Sequence, residues 1–158
     1  MPGKTGSKRR TAKAGPDVTG IPPRPGAYVL AIRLSAPVEI TAGGLPPASL
    51  LPGWYAYAGS ARGPGGLAAR IRRHVSPDKR PRWHVDALTL SATQVVAFAF
   101  PDESECRLLD RLLGLPGAAV PLPGFGASDC AACPAHLVAL PRRPRLEAPC
   151  QAIATREP

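Results

Sequence analysis

The sequence predicts a single α+β domain: a small mixed or antiparallel sheet, three-stranded at its centre, flanked by helices. Three observations predict it. Short β-branched and aromatic runs alternate with a stretch of helical period, hairpin-length connections join the early strands, and 158 residues at 44% hydrophobic content fill one compact core rather than two. Prolines and glycines cluster at Pro22-Pro23-Arg24-Pro25-Gly26, Leu45-Pro46-Pro47 and Pro121-Leu122-Pro123-Gly124, where they punctuate elements rather than build them.

Residues 1–22 are polar and basic and lack an apolar period, so they read as a disordered basic arm. The domain proper is expected over 23–141. Its first strand, 27–34, is rich in β-branched and aromatic residues and starts straight after Pro25-Gly26. A second short strand is expected at 37–40 and a third at 54–58, ended by Gly59-Ser60. Over 66–75 the period changes: Leu67, Ile71 and Val75 recur four apart and make one helical stripe. Residues 95–100 read as a strand. Residues 103–113 read as a helix with Leu108, Leu109, Leu112 and Leu113 inward, and 136–140 as a last edge strand. Beyond Pro141 the chain returns to Pro, Arg and Glu, so 142–158 is expected to fray as a flexible tail.

The net charge of +9 is concentrated. Lys4, Lys8, Arg9, Arg10 and Lys13 stand at the start without an acid, and Arg62, Arg70, Arg72, Arg73, Lys79, Arg80 and Arg82 stand against Asp78 alone. A localised basic field attracts a polyanion, and DNA is the expected partner, with RNA left open. The basic start runs into Ala14-Gly15-Pro16-Asp17 rather than an apolar leader, and no run of about 18 apolar residues exists to cross a membrane. A reducing, cytoplasmic setting with free thiols is therefore expected for Cys106, Cys130, Cys133 and Cys150.

Arg70 and His74, four apart, share a helix face at the border of the apolar stripe, which suits them to a phosphate. Glu105, at 100° per residue, falls between Leu109 and Leu112 on the apolar face of its helix. A charge there needs a partner such as a divalent cation. The alternative is a capping box with Asp102 as N-cap and Glu105 three residues on. Tyr55 and Tyr57 point to one face of their strand, with Ala56 and Ala58 opposite. Trp83-His84-Val85-Asp86 packs Trp83 in the core and aims His84 and Asp86 at the site. Cys130-x-x-Cys133-x-x-His136 has zinc-ligand spacing, with Cys106, Asp129 or His84 needed as a fourth ligand; a free-thiol turn is the alternative.

Four pieces then stand in order over residues 26–105: Gly26-Ala27-Tyr28 opening a strand, Tyr57-Ala58-Gly59-Ser60-Ala61 closing another, Arg70-Ile71-Arg72-Arg73-His74 on a helix, and Glu105 at a helix start. Together they resemble the motif set of the GIY-YIG endonuclease superfamily. Trp83-His84-Val85-Asp86, Glu105-Cys106, Gly124-Phe125-Gly126-Ala127-Ser128-Asp129-Cys130 and His136-Leu137 are similar to a branch that also occurs fused to endonuclease III-type DNA glycosylases.

The resemblance implies divalent-metal-dependent hydrolysis of phosphodiester bonds in DNA, with DNA repair as the setting and a repair enzyme as partner. It implies that Tyr28 and Tyr57 frame the scissile phosphate, one as a phenolate lowered by a nearby cation that deprotonates water. Arg70 stabilises developing charge, His74 shares the base role or holds phosphate, and Glu105 holds one Mg²⁺ or Mn²⁺. Gly59, Ser60, Arg62, Arg72, Arg73, Lys79, Arg80, Arg82 and His84 are expected at the nucleic acid, Gly59 by allowing a sharp turn. Three departures accompany the match. The Tyr28 to Tyr57 interval is long, implying an enlarged hairpin around Gly43-Gly44-Leu45-Pro46-Pro47; both motifs carry Ala in the middle, expected on the packed side; and the chain has no asparagine, which the broader family places late in its site. The alternative readings are a non-cutting nucleic-acid-binding module of the same fold and a small zinc-stabilised interaction domain.

Overall fold

A computed structural model describes residues 17–41 and 43–155, so most of the expected basic arm lies outside the described residues. The elements in order are β1 (Gly26–Leu34), β2 (Val38–Ile40), β3 (Ala48–Leu50), β4 (Gly53–Ala61), α1 (Gly66–Val75), α2 (His84–Ser91), β5 (Gln94–Pro101), α3 (Glu105–Leu113), β6 (Leu137–Leu140) and β7 (Cys150–Thr155). The α+β class holds. The sheet, however, has five strands rather than three, in the order β6-β4-β1-β5-β7, and every pairing is antiparallel.

β1 is the axis of the sheet. Its alternation sends Tyr28, Leu30, Ile32 and Leu34 to one face, packed with Leu67 and Ile71 of α1 and Val85 and Leu88 of α2. Ala27, Val29 and Ala31 go to the other, where Leu108, Leu109 and Leu112 of α3 cover them. The middle alanines of the two motifs, Ala27 and Ala58, are fully buried on that α3 side, as expected. The small side chains there let α3 lie close to the strands.

The tail expected over 142–158 is corrected by β7, which pairs with β5 from Ala99↔Cys150 to Gln94↔Thr155. Only Ala152 of its six residues is buried, so the strand rests on its backbone ladder and not on an apolar pattern. The arm's inner boundary also moves. Val18 and Ile21 are buried, and the carbonyls of Pro22 and Arg24 accept from the free N–H groups of Ala68 and Leu67 at the start of α1 (3.2 and 2.9 Å). The enlarged hairpin is a separate two-stranded ribbon, β2 with β3. Helix α2 was not foreseen from the sequence. Among the described residues, no helix is long and apolar enough to cross a membrane.

Candidate active site

The ends of β1 and β4, the helix α1, the start of α2, the start of α3 and the 122–136 loop enclose a pocket of about 300 Å³. Tyr28, Tyr57, Arg70, His74 and Glu105 all line it. Ser60, Arg82, His84 and His136 line it too, with Gly126, Ser128, Asp129 and Cys130 from the loop.

Two glycines make the tyrosine positions possible. Gly59 pairs with Tyr28 across the β1–β4 ladder, and a Cβ at Gly59 would land on the Cζ and hydroxyl of Tyr28. Gly59 therefore lies within a straight strand and clears room for a ring, which corrects the expectation of a sharp turn. Gly126, with φ of 70°, brings the loop over Tyr57, where a Cβ would stand 2.6 Å from Cε2 of that ring. Tyr55, on the same face as Tyr57, donates its hydroxyl to Leu51 O at 2.6 Å and serves the packing.

On the α1–α2 side Asp86 organises the wall. Its carboxylate, 0% exposed, accepts both arms of the Arg73 guanidinium (2.9 and 2.9 Å) and the backbone N–H groups of Arg82 (2.7 Å) and Trp83 (2.9 Å). Lys79 Nζ stands 3.7 Å away. Burial pushes the Asp86 carboxyl up, but the Arg73, Trp83 and Arg82 hydrogen bonds and the Lys79 charge outweigh it and hold the group well below the usual carboxylate range. His74, 1% exposed, has Nδ1 at 4.0 Å from Asp86 and Nε2 at 2.7 Å from the Tyr28 hydroxyl. The carboxylate favours the ring proton on Nδ1, so Nε2 accepts the Tyr28 O–H. Burial first, then the Lys79 charge, lowers His74 to about 3, so the ring is neutral.

The same contacts correct two expectations and tie a third residue into the wall. Arg73 is committed to Asp86. Lys79 donates to His74 O (2.7 Å) and Thr89 Oγ1 (2.6 Å) inside the fold. His84 receives the Gly126 N–H on Nδ1 (3.1 Å) and reaches Gly43 O with Nε2 (3.1 Å), tying the loop to the ribbon hairpin. Arg73 and Lys79 build the wall from inside, while His84 also lines the pocket. Nor does the wall lower a phenol: burial foremost, ahead of the opposing Arg70 charge, raises Tyr28 well above its ordinary range and Tyr57 to about 12. Arg62, Arg72, Arg80 and Arg82 are exposed, and Arg82 alone of these lines the pocket. Arg70, Arg73 and Arg82 surround the Trp83 indole at 4.5, 4.1 and 5.4 Å from its centroid, which presents cationic edges around one aromatic plate.

On the α3 side the capping alternative falls away. The N-cap of α3 is Ser104, whose hydroxyl accepts from Arg107 N (3.3 Å), while Asp102 has φ of 63° and pairs with Arg24 at the surface. Glu105 is thereby left free of a capping bond, 30% exposed in its side chain, with Oε2 at 3.8 Å from His136 Nδ1. The next residue, Cys106, meets the loop: its sulfur lies 3.2 Å from Cys133 Sγ and 3.7 Å from Cys130 Sγ. With His136 these thiols form a Cys₃His group whose ligand atoms all lie within 4.8 Å of one another, so the group could hold a metal ion. Of the sequence candidates for a fourth ligand the fold selects Cys106, not Asp129 or His84. Sequence reasoning missed the organising role of Asp86. Its signal was an acid placed three residues after Trp83, where it reaches back to a helix start.

Comparison with curated proteins and with solved structures finds no match. A family described as a domain of unknown function, DUF123, matches residues 27–157, from the second residue of β1 through the end of β7. That span covers every strand of the sheet and every residue lining the pocket, and the chain belongs to the DUF123 family.

Proposed function

We propose that this protein is a divalent-metal-dependent endonuclease of the GIY-YIG kind that hydrolyses a phosphodiester bond in DNA, with DNA repair as its setting. One observation carries the reading: five residues picked out by motif order, and spread from Tyr28 to Glu105, converge on a single pocket. A phosphate seated there meets the Arg70 guanidinium, whose charge stabilises the negative charge that builds on the phosphoryl oxygens. Glu105 would hold one Mg²⁺ or Mn²⁺ with its hard carboxylate, and such an ion would supply positive charge against the leaving oxygen. The soft thiolates of the Cys₃His group suit Zn²⁺ instead, so the two metal preferences fall on different residues.

The base follows from the hydrogen bonds. Tyr28 is not an isolated phenolate; it is a phenol with a neutral imidazole behind it. Tyr28 stands between the attacking water and His74 Nε2, and can relay the water proton to the imidazole once the negative charge of a bound phosphate offsets the burial and the Lys79 charge that keep His74 neutral in the empty pocket. Tyr57, beside Gly126, borders the other side of the phosphate. The exposed Arg72, Arg80 and Arg82 give a salt-sensitive hold on the flanking strand.

A second reading, a module that holds nucleic acid without cutting it, is favoured by one observation: both pocket phenols sit above their ordinary range. Cleavage of end-labelled single-stranded, duplex and branched DNA with Mg²⁺ or Mn²⁺ separates the two. The nuclease reading expects wild-type cutting and a loss of roughly 10²–10³-fold in each of Tyr28→Phe, Arg70→Ala and Glu105→Gln. Salt-sensitive DNA binding with no cut under any metal establishes the second reading instead.

A further inference from the structure

We propose that Cys106, Cys130, Cys133 and His136 bind one Zn²⁺, and that this ion fixes the pocket wall carrying Glu105. The consequence for cleavage rests on the nuclease reading; the metal site does not.

The ligand count and spacing come first. Zinc–sulfur bonds of about 2.3 Å put neighbouring sulfurs of a tetrahedron roughly 3.8 Å apart. Cys106 stands 3.7 Å from Cys130 and 3.2 Å from Cys133, far beyond a covalent S–S bond and close to that tetrahedral edge. Three thiols cannot all pair with one another, and a disulfide between any two would leave the third facing the bond. Four ligands close the coordination sphere, which marks a structural ion and not one that activates water.

The second observation is independent. Among the described residues, His136 Nε2 is buried and makes no hydrogen bond of ordinary geometry, while its Nδ1 faces Glu105. An unmet buried nitrogen is costly to the fold, and a metal bond removes that cost.

The place in the fold gives the ion its task. Between α3 and β6, residues 114–136 contain neither a helix nor a named strand. The ion joins this loop to the first turn of α3 through Cys106, whose neighbour in the chain is Glu105. With Nε2 on the metal, the ring proton of His136 sits on Nδ1 and faces the Glu105 carboxylate, a carboxylate–histidine–zinc arrangement that orients both. Each ligand thiol that is still protonated gives its proton to solvent on binding, so binding releases protons.

The test uses the full chain, purified in reductant without chelator. Metal analysis is expected to give one Zn²⁺ per chain. Chelator-stripped wild type titrated with Co²⁺ is expected to develop intense thiolate-to-cobalt charge-transfer and tetrahedral d–d bands that Zn²⁺ abolishes. Cys133→Ser and His136→Gln should weaken Co²⁺ binding by at least ~10-fold, and Cys150→Ser, whose cysteine lies on β7, should not. Substoichiometric zinc with no such bands in stripped wild type overturns the site, and so does Cys133→Ser binding as tightly as wild type. Amide exchange across 122–135 should slow by ~10-fold or more with Zn²⁺, and unchanged exchange overturns the positioning role. Glu105→Gln should keep its zinc, so a chain that binds zinc but cuts no DNA refutes the nuclease reading and leaves this one standing.

Discussion

Two walls of the same pocket are completed by different means. On the α1–α2 side the buried charges answer one another: Asp86 takes Arg73 and two backbone N–H groups, Lys79 takes His74 O and Thr89, and His74 takes Tyr28. On the α3 side, three thiols and a histidine converge, and the histidine's buried Nε2 makes no hydrogen bond among the described residues. The charges of the first wall are paired within the polypeptide, although His74 Nδ1, 4.0 Å from Asp86, makes no hydrogen bond among the described residues. The second gathers soft donors that could hold a metal ion. A buried charge network that closes on itself fixes geometry but offers no free ligand, whereas convergent donors left open mark where something from outside binds.

The largest break of this comparison is Asp86→Ala. It strands Arg73 and Lys79 without their shared carboxylate and should cost ~3–5 kcal/mol in denaturant unfolding, with cutting lost alongside. A cost under ~1 kcal/mol would mean the first wall does not hold itself together.

Acid should open the same wall. His74 is lowered in the fold to about 3 from an unfolded value of 6.5, so the unfolded chain binds the extra proton between those values. Its contribution is complete above pH 6.5 and is lost as pH falls towards 3, roughly 2 kcal/mol being gone by pH 5. Asp86, also lowered, adds a further loss once pH drops below its unfolded value of 3.8. Unfolding curves measured in chelator, so that the thiol cluster does not contribute, should show this slope in wild type and less of it in His74→Gln.

Gly59→Ala should cost about 1–2 kcal/mol and displace the Tyr28 ring, because the added methyl group meets that ring directly. The smallest effect sharpens the contrast from outside both walls. Arg72→Ala, at an exposed position, should change stability by less than about 0.5 kcal/mol while lowering the salt slope of DNA binding by about one.

Much of this was legible in the sequence. β1, β4, α1, β5 and α3 each carry a strong period, and their alternation set the α+β class. Helix α2 was not, because Ala87, Leu88, Thr89 and Leu90 are apolar or small on every side of a two-turn helix and give no stripe. β3 is hidden between Pro46-Pro47 and Pro52, and β7 is held by a ladder that leaves almost no mark on its side chains. Motif order led to the pocket residues, yet spacing could not show which basic side chains are spent inside. Arg73 and Lys79 look like Arg70 in sequence and differ only in having Asp86 nearby. Likewise Cys130, Cys133 and His136 announce themselves by spacing, while Cys106 joins them only through the packing of α3 against the loop.

The most direct test of the central claim is metal-dependent DNA cleavage by zinc-loaded wild type and zinc-loaded Glu105→Gln, each with and without Mg²⁺. The account predicts cutting by wild type that requires Mg²⁺ and a loss of roughly 10²–10³-fold in Glu105→Gln with its zinc retained. Equal cutting by the two, or cutting by wild type without added Mg²⁺, would contradict it.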